Sequence, residues 1–556
     1  MRVEPGLVSV KDLLLKVNSG EWSLWLPSFQ RRFVWDPADI KAFLESLFKG
    51  NPVGILLLWR SGSPEGSDPF ALRVLVGGGK SSENYLIVDG QQRILSLLLL
   101  LNGWSIRVGD IFLRMEYTTQ PISFNPTKYV LEVGRRGLDL SEGMRAHLGL
   151  GLEDVDGLKR KYVGEYVDRL LGLCEKIASY RIPVYFIDLD DEKSPLERAA
   201  EIFILANRAG QRITNVELIL SYVSGVLIPE ASLIIRRAYD VLQAEFRELD
   251  SNALIRYSFG VGLDLKQRQI DDVERFRSAV RSLAAQVDLT GRSVLSRALE
   301  ESIPFFRSAI GLVRRCIGNA APSFLTTQLS LVVLATYMHS RGYRGPGRVP
   351  EADVEAIRDW LVLVNFHGYY SANPSGRLQK DIETVKGSSG PFPFDDLLSN
   401  IKETRGGATT ITASHILRGL DADLLRRSGH PYLFLLYTAL CLSGASDWEG
   451  TLIRELGPES LARHHIFPRS LFRAVGEEEG YVSGIGNVTL ISPALNSELS
   501  DRPPADYLQQ YGEGLRKHFI PPDRELWGKD RFEEFCERRA ELIHSSLRER
   551  MPRVVK

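Results

Sequence analysis

Two adjacent histidines and two later asparagines are the residues in this sequence best suited to chemistry. The chain has 556 residues but only nine histidines, and two of these, His464 and His465, are neighbours. Pro468 follows three residues after the second histidine, and Asn487 and Asn496 lie further along. Imidazole and amide groups can hold a divalent cation, and a neutral imidazole can take a proton from water. The pattern therefore predicts metal-assisted phosphodiester hydrolysis.

A short strand through His464 and His465 would separate their roles. Neighbouring side chains on a strand leave on opposite faces. We therefore expect His464 to hold the cation together with Asn496, and His465 to activate the attacking water. A second strand is predicted over residues 488–492, entered through Asn487.

Each of these features has a simpler explanation when it is taken alone. Adjacent histidines are more often a surface pair, and Gly486 followed by Asn487 is more often an ordinary turn. The combination of the histidine pair, Pro468, the Gly-Asn turn and Asn496 favours a nuclease. No cysteine lies in this segment, which excludes a zinc site with cysteine ligands.

A second candidate site lies where a predicted strand runs into a predicted helix. Residues 85–88 read as a strand, and the polar turn Asp89-Gly90-Gln91-Gln92-Arg93 leads into a helix. Free N–H groups at a helix start and the positive end of its dipole attract phosphate. Arg93 could add a charged contact, and Asp89 could hold a metal or orient a water. Polar residues at such a turn also cap the helix, so a purely structural role is the alternative.

The composition is that of an ordinary globular protein. Hydrophobic residues make up 44% and charged residues 25%, and the formal net charge is −1. Any DNA contact must therefore come from local patches rather than from overall basicity. The four cysteines form no CxxC pair, the N-terminus lacks a signal-peptide pattern, and the apolar runs are too short to span a bilayer. We expect a cytoplasmic protein without a membrane partner.

The predicted elements divide the chain into three regions, and we expect a multidomain α+β protein. Strands and helices alternate over residues 1–228, whereas residues 229–445 are predicted to be all helical. Residues 446–556 carry the histidine pair and would form the third domain. Within the first region, apolar periodicity predicts a helix over residues 7–19, and Asp36-Pro37 is typical of a helix start.

Other basic and aromatic residues are weaker candidates for nucleic-acid contact. Arg538 and Arg539 lie in a predicted helical region in which acidic and basic residues are mixed, and both are candidates for contact with phosphate. Tyr369 and Tyr370 could stack on bases, and packing between helices is the alternative for them.

The segment 461–500 resembles the HNH, or ββα-metal, nuclease motif. In that family a ligand residue precedes a general-base histidine, a proline follows, and a middle asparagine precedes a final asparagine or histidine. The resemblance implies that His465 is the base, that His464 and Asn496 hold the metal, and that Asn487 orients the loop and the base. A neutral amide as the final ligand suits Mg²⁺ or Mn²⁺ better than Zn²⁺. Arg469 is a candidate contact for a flanking phosphate.

Four pieces of the first region resemble the N-terminal, ParB-like domain of GmrSD-type restriction endonucleases. They are the segments 30–35, 52–54, 88–93 and 202–210. The resemblance implies an α/β domain that binds and hydrolyses a nucleoside triphosphate, without distinguishing GTP, UTP and ATP. The implied nucleotide-binding residues are Asp89, Gly90, Gln91, Gln92, Arg93, Gln30, Arg31 and Asn207. The usual Leu-Asn pair is Ala206-Asn207 here, a departure that leaves the polar side chain in place.

The two resemblances occur in the order of the fused GmrSD-type enzymes. That order implies a nucleotide-regulated, metal-dependent DNA endonuclease that cuts foreign or modified DNA, as in modification-dependent restriction and antiphage defence. We also allow for a homodimer. Two other functions stay open: a nucleotide-dependent DNA-binding regulator with a degenerate nuclease domain, and a toxin-like nuclease that acts on RNA or host DNA.

Overall fold

The fold combines an N-terminal sheet with a helical region after it, as the sequence predicts. The chain divides into two compact units, Met1–Ile234 with Val280–Ala284 and Ile235–Ala279 with Ala285–Lys556. The structure, a computed structural model, describes residues 1–30, 33, 35–68, 71–76, 83–109, 111–114, 121–134, 137–150, 154–189, 192, 194–208, 230–272, 275–276, 278–280, 293–404, 406–425, 429–472 and 481–556.

The described part of the first unit contains eleven strands and eight helices. The strands are β1 (Arg2–Ser9), β2 (Trp22–Leu26), β3 (Leu56–Arg60), β4 (Leu72–Leu75), β5 (Glu83–Asp89), β6 (Ser105–Val108), β7 (Ile111–Arg114), β8 (Ile122–Asn125), β9 (Val130–Val133), β10 (Leu138–Asp139) and β11 (Arg181–Asp188). The helices are α1 (Val10–Asn18), α2 (Pro37–Lys49), α3 (Pro64–Ser67), α4 (Gln91–Leu101), α5 (Leu140–Leu148), α6 (Val155–Lys161), α7 (Gly164–Ser179) and α8 (Pro195–Arg208).

Eight of these strands form one mixed sheet in the order β1-β11-β3-β5-β2-β4-β6-β7. β3 and β5 lie near its middle, and most of their residues are buried, as their continuous apolar sequences require. β5 pairs in parallel with β2 and antiparallel with β3, where Leu57 lies opposite Asp89. β5 is therefore an inner strand of the sheet, and its end at Asp89 pairs with β3.

The helix predicted over residues 7–19 is shorter than expected, because a strand precedes it. β1 pairs antiparallel with β11 along its whole length and forms an edge of the sheet. Its mostly exposed residues include Pro5, which an edge strand tolerates. Apolar periodicity missed β1 for this reason. α1 then begins at Val10, where the hydroxyl of Ser9 accepts a hydrogen bond from the N–H of Asp12.

Helix α4 is buried around its whole circumference in the core of the first unit. Its residues from Ile94 to Leu101 are each at most 3% exposed. A helix this apolar on all sides is stable only inside a core. Burial extends into the first turn, where Gln91 is 4% and Gln92 is 8% exposed. The core therefore fixes the start of α4, which carries the polar motif.

The described part of the second unit is mainly helical and contains two strands. The helices are α9 (Glu230–Glu245), α10 (Ser251–Tyr257), α11 (Gln267–Ile270), α12 (Val294–Cys316), α13 (Ala321–Phe324), α14 (Leu329–Ser340), α15 (Glu351–Phe366), α16 (Pro374–Gly387), α17 (Phe394–Lys402), α18 (Ala413–Leu417), α19 (Pro431–Ser443), α20 (Pro493–Leu499), α21 (Pro504–Tyr507), α22 (Gly514–Lys517) and α23 (Phe532–Arg550). The first residues of α9, up to Ile234, belong to the first unit. The strands are β12 (Ala462–His465) and β13 (Val488–Ile491). One hydrophobic core joins the helices to the segment that carries these strands.

Tyr369 and Tyr370 pack inside the second unit. Their side chains are 4% and 2% exposed, and their rings contact each other edge to face. The hydroxyl of Tyr370 donates to the carboxylate of Asp381 in α16 at 2.6 Å. The packing role is therefore confirmed, and stacking on bases is wrong for both residues.

β12, β13 and α20 form a small strand–strand–helix unit. The two strands pair antiparallel, with His464 opposite Thr489 and His465 opposite Val488. The helix follows β13 directly, and the hydroxyl of Ser492 accepts a hydrogen bond from the N–H of Leu495 at its start. α20 packs against β12, so the helix and the histidine-bearing strand are neighbours.

Two further properties concern the whole described chain. None of its helices combines the length and the apolar character needed to cross a membrane. All four cysteines are buried free thiols, namely Cys174, Cys316, Cys441 and Cys536.

Candidate functional site

The histidine pair lies at a pocket of about 400 Å³ in the second unit. Strand β12 forms one wall, the short helical turn after Pro468 forms a second, and α20 with the residues after it forms a third. The lining residues are Arg463, His464, His465, Pro468, Arg469, Ser470, Asn496, Ser497, Ser500 and Asp501. Five predicted positions, His464, His465, Pro468, Arg469 and Asn496, are therefore brought together.

His464 has one ring nitrogen engaged and the other directed at Asn496. Its Nε2 lies 3.0 Å from the hydroxyl oxygen of Tyr507, and that hydroxyl donates to the carbonyl of Ile466 at 2.8 Å. Because the tyrosine proton is used in this way, Nε2–H of His464 is the donor and Nδ1 keeps its lone pair. Burial lowers the pKa of His464 to about 4, so the ring is neutral at pH 7.

The lone pair of His464 Nδ1 faces the amide of Asn496. Nδ1 lies 3.0 Å from Asn496 Oδ1, and both atoms are acceptors in this orientation. Two arrangements satisfy them: the amide turns so that its NH₂ donates, or a cation lies between the two atoms. Adjacent ligands in an octahedral site with bonds of about 2.1 Å lie about 3.0 Å apart. The pair therefore fits a small divalent cation.

His465 points away from His464, as alternation along the strand predicts. Its Nε2 lies 3.4 Å from the hydroxyl of Ser483, a buried residue that precedes β13. Burial, together with the nearby charge of Arg469, lowers the pKa of His465 to about 4. The ring is therefore neutral at pH 7 and can accept a proton. Sequence reasoning missed Ser483, because no spacing rule links it to the histidines.

Asn487 lies behind the pocket rather than in it. Its side chain is fully buried, accepts from the N–H of Phe467 at 2.8 Å and donates to the carbonyls of Phe467 and Val482. Its own carbonyl accepts from the N–H of Ile466. Asn487 thus fixes the backbone just after His465 and beside Ser483, which agrees with a role in orienting the loop.

Arg539 is a second buried support of this region. Its guanidinium, from helix α23, donates to the carbonyls of Ile485, Val488 and His518 at 2.7 to 3.1 Å. The side chain is fully buried, and this burial lowers the pKa of Arg539 to about 10. The expectation that Arg539 contacts phosphate is therefore wrong. It clamps the backbone on both sides of the Gly-Asn turn instead.

The predicted nucleotide site surrounds the end of β5 in the first unit. Gly90 adopts φ +90°, and a Cβ there would lie 2.3 Å from the side chain of Leu56. The positive φ lets the chain turn directly from Asp89 into α4. Arg93 donates to the carbonyl of Val53 at 2.6 Å and lies 3.4 Å from the Asp89 carboxylate. Burial lowers the pKa of Arg93, and the Asp89 charge opposes this shift.

Gln30 and Gln92, two glutamines of the predicted nucleotide site, form hydrogen bonds with backbone groups. The amide of Gln30 donates to the carbonyls of Ile87 and Val88 on β5 at 3.0 and 2.6 Å. Gln92 accepts from the N–H of Trp35 at 3.2 Å. The structure therefore gathers Gln30 with the motif residues 89–93, and several of these side chains also stabilise the turn.

Two further residues belong to the predicted nucleotide site. Arg31 lies outside the described residues. Asn207 lies on helix α8, but its side chain lies outside the described part of the structure. The ring centroids of Phe29 and Phe203 lie 5.6 Å apart, so α8 is close to the segment that ends in Gln30.

Replacing Asn487 with alanine should lower the free energy of unfolding by about 3 kcal/mol, because one buried N–H and two buried carbonyls lose their partner. Asn496→Ala is the matched control, since this amide lines the pocket and should cost less than about 1 kcal/mol. Urea unfolding measures both. Equal losses for the two variants would contradict the supporting role of Asn487.

Replacing Gly54 with alanine should disturb Arg93. Gly54 adopts φ +85°, and a Cβ there would lie 2.1 Å from Arg93 Nη1. Gly50 adopts φ +73° and nothing lies within 4 Å of its Cβ position. Gly50→Ala is therefore the control that introduces backbone strain without a steric clash. We expect a loss of about 1 kcal/mol for Gly50→Ala and roughly 2 to 3 kcal/mol for Gly54→Ala in urea unfolding. A Gly54→Ala loss no larger than that of the control would show that Arg93 is not fixed here.

Comparison with known proteins finds a family match in the N-terminal part of the chain. A protein of Methanocaldococcus jannaschii, named only as an uncharacterized protein, is 21% identical over 547 aligned residues, which cover 90% of this chain and 86% of that protein. Its name assigns no activity. Residues 10–224 match the family model described as GmrSD restriction endonuclease, N-terminal domain. This region contains the motif at the end of β5, and the match supports a GmrSD-type restriction endonuclease N-terminal domain here.

Proposed function

We propose that this protein is a metal-dependent DNA endonuclease of the HNH type whose cutting is regulated by a nucleoside triphosphate. One observation carries the proposal: His464 Nδ1 and Asn496 Oδ1 converge to 3.0 Å at the pocket, while the neutral His465 leaves the same strand on the other side. The strand–strand–helix order of β12, β13 and α20 is the order of the ββα-metal motif. The restriction endonuclease family of the N-terminal domain supports DNA as the substrate.

The residues of the pocket divide into ligands and a base. His464 and Asn496 would hold Mg²⁺ or Mn²⁺, and a cation bound there supplies charge stabilisation at the phosphate oxygens and the leaving oxygen. His465 removes the proton from the attacking water, for which a neutral ring is required. Ser483, at 3.4 Å from Nε2, is the group placed to orient that ring.

Two further residues serve the same reaction without taking the proton. Asn487 holds the backbone that carries His465. Arg469 is exposed at the mouth of the pocket and would contact a flanking phosphate.

The first unit would bind and hydrolyse the nucleotide. The turn at Asp89 and Gly90 leads into α4, a helix of eleven residues whose first turn carries Gln91, Gln92 and Arg93, and a helix start favours phosphate. Gln30, Gln91 and Gln92 surround this turn, and Arg31 and Asn207 belong to the same proposed set. Nucleotide hydrolysis would control cutting of foreign or modified DNA, the role of a modification-dependent restriction enzyme in antiphage defence.

Replacing His465 with alanine should abolish plasmid cleavage, with a loss of at least about 10²-fold, because it removes the neutral imidazole that is proposed to accept the proton from water. The assay uses unmodified, glucosylated and phosphorothioated DNA, each with and without GTP, UTP or ATP. Removal of divalent metal by EDTA should stop cutting by the wild type, and Mg²⁺ or Mn²⁺ should restore it. His544→Ala on helix α23 is the matched histidine control and should cut normally.

The outcomes of this assay separate the candidate functions. Undiminished cutting by a clean His465→Ala preparation would remove the residue from the mechanism. Equal cutting of every DNA would favour a toxin-like nuclease. Nucleotide hydrolysis without any cutting would favour the DNA-binding regulator.

Replacing Arg93 with alanine, or Asp89 with alanine, should abolish nucleotide turnover, because both side chains lie at the turn where phosphate would bind. Arg93→Lys keeps the positive charge, so it separates an effect on folding from an effect on nucleotide turnover. Arg169→Ala is the matched arginine control on α7, where the side chain pairs with Glu165. Phosphate release from GTP, UTP and ATP is the measurement. Normal turnover in folded Arg93→Ala and Asp89→Ala proteins would place the nucleotide site elsewhere.

A further inference from the structure

Arg463 lines the candidate nuclease pocket on the same strand as the histidines. It precedes His465 by two positions, so its side chain leaves β12 on the face of His465 and not on that of His464. The pocket therefore has a cationic group on the side of the proposed base. Nothing in the motif assigns a role to this arginine.

The guanidinium of Arg463 has a single protein partner in the described chain. Its Nη1 donates to the carbonyl of Leu425 at 2.9 Å, and no carboxylate pairs with it among the described residues. Burial lowers the pKa of Arg463 more than the charge of Asp423 raises it. A guanidinium has five N–H donors, so most of them are left for other acceptors.

Other arginines of the same unit are paired in ways that Arg463 is not. Arg256 pairs with Asp271 at 2.7 Å, and Arg358 pairs with Asp359 at 3.0 Å. Arg539 pairs with no carboxylate of the described residues, is fully buried and bonds to three carbonyls. Arg463 is half-buried and bonds to one carbonyl, and a partly desolvated cation in this state gains from an anion that enters the pocket.

We propose that Arg463 forms a phosphate-binding subsite of this pocket, which takes a phosphodiester group of the nucleic acid on the side of His465. The proposal rests on the proposed nuclease function for the identity of the anion. The tether to the Leu425 carbonyl leaves a second edge of the planar guanidinium for two phosphate oxygens, the geometry that arginine prefers. In this subsite Arg463 touches the scissile phosphate. Negative charge that develops on its oxygens during attack by water strengthens the contact.

The test combines DNA binding at several salt concentrations with cleavage kinetics. Binding is measured on full-length His465→Ala protein with a linear DNA duplex, alone and combined with Arg463→Gln or Arg463→Lys. Each lost phosphate contact lowers the slope of log K against log salt by about 0.9. We expect that decrease for Arg463→Gln, and recovery of the slope in Arg463→Lys. Arg297→Gln, at an exposed arginine of α12 paired with Glu301, removes the same charge elsewhere and should leave the slope unchanged.

Cleavage by the single variants provides the second readout. With His465 intact, Arg463→Gln should lower kcat by about 10²-fold or more, and Arg463→Lys should recover part of it. Thermal unfolding confirms that the variants are folded. A fall in kcat with an unchanged salt slope overturns the subsite, because it assigns Arg463 a structural role only.

The remaining outcomes separate this proposal from the function on which it rests. Normal cutting and a normal slope in Arg463→Gln overturn the subsite alone. A failure of the His465→Ala parent to bind DNA overturns the subsite together with the proposed function. If the wild type never cuts but the parent binds DNA, the nuclease function fails while the salt slope still decides whether Arg463 contacts phosphate.

Discussion

The hydrogen bonds of the Asn487 side chain are the constraint on which the candidate nuclease site depends. A ribbon of two strands, each four residues long, has too few bonds of its own to be stable. Asn487 ties the start of β13 to the backbone that follows β12, and Arg539 clamps the same turn from helix α23. Both groups are buried, where an unmade bond is costly, so this region has one low-energy arrangement.

This rigid support lets two adjacent histidines have different environments. His464 is held by Tyr507 so that one nitrogen is protonated and the other faces Asn496. His465 faces Ser483 and the arginine side of the pocket. Burial keeps both rings neutral at pH 7, which suits a ligand as well as a proton acceptor. In the proposed mechanism the same residue type would therefore serve as ligand and as base, because neighbouring side chains leave the strand in opposite directions.

The elements that sequence reasoning recovered are those with local causes. Asp36 caps α2 as the Asp-Pro pair predicts, and the apolar run before Asp89 is strand β5. The pocket residues His464, His465 and Asn496 were also recoverable, because their residue types and their order are those of the motif that the segment resembles. Strand β1 was missed, since an exposed edge strand has little apolar pattern.

The arginines near the pocket that were missed or wrongly assigned share a different cause. Arg463 bonds to a carbonyl 38 positions away, and Arg539 bonds to carbonyls 51 and 54 positions away. A backbone acceptor has the same chemistry in every residue, so the identity of the partner leaves no trace in the sequence. Only the fold reveals which arginine is buried, which is half-buried and which is at the surface.

The dependence on backbone acceptors also determines how freely the surrounding sequence can vary. Tyr507, Asn487 and Arg539 all bond to main-chain atoms around the two strands. A substitution at Ile466 or Val482 changes the packing but removes none of these acceptors. The geometry of the site can therefore persist through extensive side-chain drift, provided that the few donating residues and the volume of the core are kept.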